Sequence, residues 1–380
     1  MDIFKFNTQT TCYCGTDCVK ENTNLFKDYG KKAAIITSVF CSGCKNHALE
    51  DVESVFNELH IDYIILNGVD ENPPVDCIVD LTKDCADFKP DFIVAIGGGS
   101  SIDSAKAVSL LMAHPGENPY DVFYKNGSPS QSNKTESDLP VLAIPTTAGT
   151  GAEVTGFAVL TRSDTNTKLC MYPVVFCEVA FLDSKYIRES PDCLLHSGAM
   201  DALAHGVETY LHNSSNIINR FIAEIGFGLF AKYKDHLLYG NLTDEDFQNM
   251  LIVSYMMGLA FMQSSTTIPH GMSYPLSHAK NVHHGLACGL ILGEYLKSFK
   301  NQSFVMPIVK ACGFESTDDF AQYVDAITEK HMKAQISDDD IEDWTDEFMK
   351  LTFRINSNPE PLQRCDIKQL YQKSLIKYIK

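Results

Sequence analysis

Through the first half of the chain, short apolar runs alternate with apolar positions spaced for a helix. The runs at residues 33–37 (AAIIT), 63–66 (YIIL), 92–96 (FIVAI) and 141–144 (VLAI) predict strands, and residues 48–59 and the stretch ending at Met112 predict helices between them. Strands that alternate with helices predict a parallel sheet covered by helices. Residues 116–138 (GENPYDVFYKNGSPSQSNKTESD) are dense in Gly, Pro, Ser, Asn and Asp and predict a long surface loop. From Ser190 and Pro191 onward the pattern changes to long helical periodicity, over residues 194–212, 217–238, 244–263, 287–299, 317–333 and 339–351. The expected architecture is therefore an α/β domain over residues 1–189 followed by an all-helical domain over residues 190–380. A chain of 380 residues is also too long for one ordinary core, which agrees with two domains.

Charge narrows the partners. Forty-nine acidic against 31 basic residues give a net charge of -18, which repels a phosphate backbone, so no nucleic-acid partner is expected. The N-terminus has no basic start followed by an apolar core, and no run reaches membrane-spanning length. A cytoplasmic protein without a membrane partner is expected. The 13 cysteines are odd in number and scattered, which suits reduced thiols. Cys12, Cys14 and Cys18 lie close together and Cys41 and Cys44 have C-x-x-C spacing, but neither cluster has the matching second pair that a zinc knuckle needs.

Candidate chemistry begins at the strand 92–96, which runs directly into Gly97-Gly98-Gly99-Ser100-Ser101 and then a helical pattern. Glycines let the backbone approach a pyrophosphate, and the free N–H groups and dipole of a helix N-terminus favour its charge. The pattern is neither G-x-G-x-x-G nor a P-loop, and a plain tight turn would also read this way. A second small-residue loop, PTTAGTGAEVT at residues 145–155, follows the next strand and could line a nucleotide or simply cap its own turn.

A third constellation suits a metal. Asp201 and His205 stand four residues apart on one predicted helix face. His270 and His284 each precede a glycine further on. One carboxylate with two or three imidazoles suits a divalent transition ion.

These residues together resemble the iron-containing (group III) alcohol dehydrogenases. The resemblance runs from about residue 33 to beyond residue 290. It rests on four ordered motifs: GGGSSIDSAK from Gly97, PTTAGTGAE from Pro145, MDALAH from Met200, and the two His-Gly pairs after Pro269.

The resemblance implies a dinucleotide-binding α/β domain packed on a helical one, and a metal held by Asp201, His205, His270 and His284. His284 is favoured over His283 because the family ligand is the one followed by glycine. It also implies that Gly97, Gly98, Gly99 and Ser100 carry the pyrophosphate with Asp103 nearby, that Thr146, Thr147 and Thr150 surround the cofactor, and that Lys168 lies near the nicotinamide ribose. The implied cofactors are NAD or NADP and Fe2+, although the same donors accept zinc or nickel. The implied reaction moves a hydride between the nicotinamide and a small alcohol or aldehyde whose oxygen the metal polarises. A homodimer or higher homo-oligomer is implied as well.

Two positions depart from the family pattern. Where members often carry a proton-relaying His four residues after the third ligand, this chain has Tyr274, a poorer relay at neutral pH because its ordinary pKa is about 10. At the end of the first predicted strand, NAD-preferring members often carry Asp, whereas Ser38 has no charge to repel a 2′-phosphate and leaves room for NADP. Competing readings on the same scaffold are a glycerol dehydrogenase-like or dehydroquinate synthase-like enzyme, or a non-catalytic nucleotide-binding module. The last of these predicts loss of a ligand, and all four are present.

Overall fold

The computed structural model describes residues 4, 6–38, 47–69, 71–124, 139–165 and 167–380. They divide into a sheet unit, Thr8–Thr147 with Gly151–Glu189, and a helical unit, Ser190–Lys380 with Met1–Asn7 and Ala148–Thr150. The architecture is the α/β domain plus all-helical domain expected from the pattern.

The sheet unit carries strands β1 (Thr11–Cys14), β2 (Lys32–Ser38), β3 (Asp62–Val69), β4 (Phe92–Gly97), β5 (Val141–Pro145), β6 (Val159–Arg162), β7 (Thr167–Cys170) and β8 (Val179–Leu182). Six of these form a parallel sheet in the order β1-β8-β5-β4-β2-β3, and β6 and β7 pair as an antiparallel hairpin. Its helices are α1 (Cys18–Glu21), α2 (Leu25–Tyr29), α3 (His47–Leu59), α4 (Val75–Phe88), α5 (Gly99–Met112) and α6 (Pro119–Tyr124).

Strand side chains alternate between faces, and both faces are covered. Ala34, Ile36, Ile93, Ala95, Val141 and Ala143 pack with α4, α5 and α6. Ala33, Ile35, Phe92, Val94, Ile96 and Leu142 pack with α1, α2 and α3 on the other side. This explains why β2, β4 and β5 read as continuous apolar runs.

One expectation needs correction. Part of the loop expected over residues 116–138 is the helix α6, whose Phe123 is fully buried with Tyr120, Val122 and Tyr124 packed beside it. The apolar face of those six residues outweighs their turn-forming neighbours. Residues 125–138, and the Cys41 and Cys44 pair, lie outside the described residues. Cys12 and Cys18 are free thiols, each pushed up to about 12 by burial.

The helical unit runs through α7 (Asp192–Leu211), α8 (Ile217–Tyr239), α9 (Asp244–Phe261), α10 (Ile268–Lys280), α11 (His284–Lys297), α12 (Met306–Ala311), α13 (Thr317–Thr328), α14 (Asp338–Met349), α15 (Thr352–Ser357) and α16 (Arg364–Leu375). Capping boxes start three of them, Thr243 with Asp246 on α9, Ser337 with Asp340 on α14 and Gln363 with Asp366 on α16. Buried residues surround α7 and α11 on nearly all sides, so these two form the centre of the bundle. They meet backbone to backbone: a β-carbon on Gly285 would lie 1.8 Å from the Ser197 carbonyl oxygen. Among the described residues, no helix is long and apolar enough to cross a membrane.

Candidate functional site

In the sheet unit, β2, β4 and β5 are neighbours and end together. Thr37 pairs with Ile96, and Gly97 with Pro145, so Ser38, Gly97 and Thr146 sit at the carboxyl ends of three adjacent parallel strands. The chain moves outward from β2 to β3 and then returns to place β4 on the other side of β2. Open parallel sheets bind ligands outside the strand ends at such a reversal.

Gly97 takes a positive φ of 149°, and a β-carbon there would lie 2.3 Å from Ser101 Oγ. The turn therefore requires glycine. Gly98 is the N-cap of α5 and Gly99 its first residue, so the N–H groups of Gly99 and Ser100 have no partner inside this 14-residue helix. The Thr146 N–H donates to the Gly97 carbonyl at 2.9 Å, and Thr147 Oγ1 would lie 3.0 Å from a β-carbon on Gly98. Ser100 Oγ accepts from the Asn72 N–H at 3.1 Å. Thr37 Oγ1, Ser101 Oγ and Ser104 Oγ are buried hydroxyls without a hydrogen-bond partner. A turn that admits no side chain beside a helix N-terminus fits a phosphate group.

The remaining nucleotide candidates are placed differently. Asp103 accepts from the Val159 N–H at 2.9 Å and so ties β6 to α5, while burial pushes its carboxyl up to about 6 against the pull of Lys106. Lys168 lies on β7 opposite Thr161. Thr150 belongs to the helical unit and not to the sheet unit.

Sequence reading gave Lys106 no role. It is fully buried, and its ammonium donates to the carbonyls of Ala152 at 2.6 Å, Thr155 at 2.9 Å and Phe157 at 2.8 Å. The helix that begins at the glycine turn thereby holds the loop after the PTTAGTG segment.

In the helical unit, Asp201 on α7, His270 on α10 and His284 and Cys288 on α11 bring one donor atom each within 4.8 Å of one another. Asp201 Oδ1 lies 3.4 Å from His270 Nε2 and 3.8 Å from His284 Nε2. Asp201 Oδ1 and His270 Nε2 are buried and make no hydrogen bond. Buried polar atoms ordinarily find hydrogen-bond partners, so two that face each other at 3.4 Å without such a bond fit a shared cation. A carboxylate, imidazoles and a thiol suit a divalent transition ion.

His205 stands beside this group but is not one of the four. Its ring stacks between Phe261, at 4.6 Å, and His270, at 4.5 Å between centroids, and its Nδ1 lies 3.3 Å from the Gly149 carbonyl. Burial lowers His205 to about 4, against the pull of Asp201. Burial would raise the Asp201 carboxyl, but His205, His270 and His284 outweigh it and hold the group well below the ordinary carboxylate range.

Glu208, which sequence reading passed over, orients the group. Its fully buried carboxylate accepts from the Thr267 N–H, from the His270 N–H at 3.2 Å, and from His270 Nδ1. With Nδ1 bound to Glu208, His270 turns Nε2 toward Asp201, as outer carboxylates do for metal-binding histidines. Asp201, His205 and Glu208 are spaced four and three apart, so the sequence did place Glu208 on their helix face.

Two family descriptions match the chain. "Iron-containing alcohol dehydrogenase" covers residues 9–184, and "Fe-containing alcohol dehydrogenase family, C-terminal" covers residues 196–375. The chain belongs to the iron-containing alcohol dehydrogenase family. Similar proteins include an NADPH-dependent butanol dehydrogenase of Clostridium saccharobutylicum, 28% identical over 78% of this chain and 74% of that one. A lactaldehyde reductase of Escherichia coli is 29% identical over 76% of this chain and 73% of its own length. Among solved structures, an iron-containing alcohol dehydrogenase of Thermotoga maritima is 27% identical with a TM-score of 0.84, covering 98% and 99% of the two chains. This member of the family is thus an alcohol or aldehyde oxidoreductase.

Tyr274 is half-buried on α10, with its ring stacked on His284 at 6.1 Å between centroids. Its hydroxyl accepts from Arg354 Nη2 at 2.8 Å, and the same guanidinium donates to Thr266 Oγ1 and the Thr267 carbonyl. That arrangement fits an aromatic wall better than a proton relay. Tyr274→Phe is expected to retain full metal content and to lose less than about tenfold in turnover, well below the 10²–10⁴ of acid–base catalysis. A hundredfold loss in single-turnover rate at full metal occupancy, roughly the lower edge of that range, would restore the relay.

Proposed function

We propose that this enzyme interconverts small aldehydes and alcohols with NAD(P), using a divalent ion held by Asp201, His270 and His284 with His205 alongside. The supporting observation is the pair of facing, buried and unpartnered donors, Asp201 Oδ1 and His270 Nε2. When bound, the ion supplies Lewis acidity toward the substrate oxygen and the nicotinamide supplies or accepts the hydride.

The chain's own residues prepare for this. Glu208 fixes the tautomer of His270, so that Nε2 presents a lone pair. Asp201 stays ionised across the physiological range, because three histidines surround it. Tyr274 and Phe261 supply ring faces against His284 and His205. In the sheet unit, Gly97, Gly98, Gly99 and Ser100 receive the pyrophosphate, with Thr146 and Thr147 beside it. The test is a panel of aldehydes and alcohols assayed with each nicotinamide on iron-loaded protein. Stoichiometric NAD(P)H consumption with alcohol formation is expected, and no turnover of any member by fully loaded protein would refute the reading.

For the cofactor, we infer that NADP is accepted, since Ser38 ends β2 without a negative charge and a similar butanol dehydrogenase is NADPH-dependent. Ser38→Asp is expected to shift the ratio of NADP to NAD efficiencies toward NAD by about tenfold or more, the effect of roughly 1.4 kcal/mol. An unchanged ratio would remove Ser38 from the ribose site.

A further inference from the structure

Cys288, one helical turn after His284, joins Asp201, His270 and His284 among the donors that converge in the helical unit, and sequence alone does not select it. Cys288 is fully buried, and its Sγ lies 3.9 Å from His284 Nε2. Ligand atoms held at about 2.0–2.3 Å from one ion at tetrahedral angles stand roughly 3.3–3.6 Å apart. The separations of 3.4, 3.8 and 3.9 Å within the group lie close to that spacing.

The two orphaned donors point the same way, since Asp201 Oδ1 and His270 Nε2 are buried and face the space that Sγ borders.

We propose that Cys288 is itself a metal ligand, so that this chain binds its ion through a carboxylate, imidazoles and one sulfur. The inference rests on the metal-site reading above and adds a soft donor to it. A thiolate moves the preference toward zinc, which takes sulfur and nitrogen readily, and away from an ion favouring oxygen and nitrogen alone. The other described cysteines stand outside the group.

Cobalt(II) added to the reduced, metal-free protein tests this, because it gives visible ligand-field bands at any such site and a near-ultraviolet charge-transfer band only with a thiolate. Both bands are expected in the wild-type protein, and Cys288→Ser should lose the near-ultraviolet band while keeping the visible ones. Visible bands without the near-ultraviolet band in wild type would overturn the proposal but leave the metal site standing. A near-ultraviolet band that persists in Cys288→Ser would also overturn it, by assigning the sulfur to another cysteine. No bands at all would sink the metal site itself, and the proposal with it. If the variant takes up no cobalt, X-ray absorption of the cobalt-loaded wild type decides, with one sulfur at about 2.3 Å expected and none refuting the assignment.

Discussion

His270→Ala is expected to yield a folded protein that holds little metal and turns over at least about a thousandfold more slowly, roughly 4 kcal/mol of lost transition-state stabilisation. His270 provides the donor facing Asp201 across 3.4 Å, and alanine leaves that position without an imidazole. The fold should survive because Glu208 keeps backbone partners after the ring is gone, the N–H of Thr267 and that of residue 270. The checks are metal content after dialysis, turnover, and circular dichroism beside wild type. Wild-type metal content in the variant would remove His270 from the site.

The second large effect concerns stability and lies in the sheet unit. Lys106→Met keeps much of the side-chain volume but deletes the ammonium that three carbonyls share. Methionine offers those three carbonyls no donor, and Asp103, 3.7 Å from the ammonium, loses its compensating charge. A buried group stripped of its charged partner costs about 3–5 kcal/mol, and that loss is expected in denaturant unfolding. A change below about 1 kcal/mol would show that the loop over residues 152–157 is held by other contacts.

Much of this arrangement was legible along the chain, for physical reasons that differ by element. Strands β2, β4 and β5 showed as unbroken apolar runs because helices cover both faces of the sheet. Edge strand β1, TCYC, has no comparable run, and it forms by pairing with β8. Helix α10 was illegible by periodicity because Gly271 and Pro275 dilute its signal, although it carries His270. Asp201 and the two His-Gly pairs stood out by spacing. Cys288 did not, since a cysteine within an apolar helix reads as ordinary core, and only the packing of α11 against α7 and α10 brings it to the donors.

The contact of Gly285 with the Ser197 carbonyl bears on how such a chain tolerates divergence. Asp201 lies one turn beyond Ser197, and His284 immediately precedes Gly285, so the distance between their two helices is set by main-chain atoms that every sequence possesses. Side chains elsewhere in the bundle can then be exchanged, provided their volumes are kept, without moving the donors. A protein sharing only 27% of its residues with this one still superposes with a TM-score of 0.84. In this chain the spacing of the reactive groups is set at a position where even one methyl group has no room.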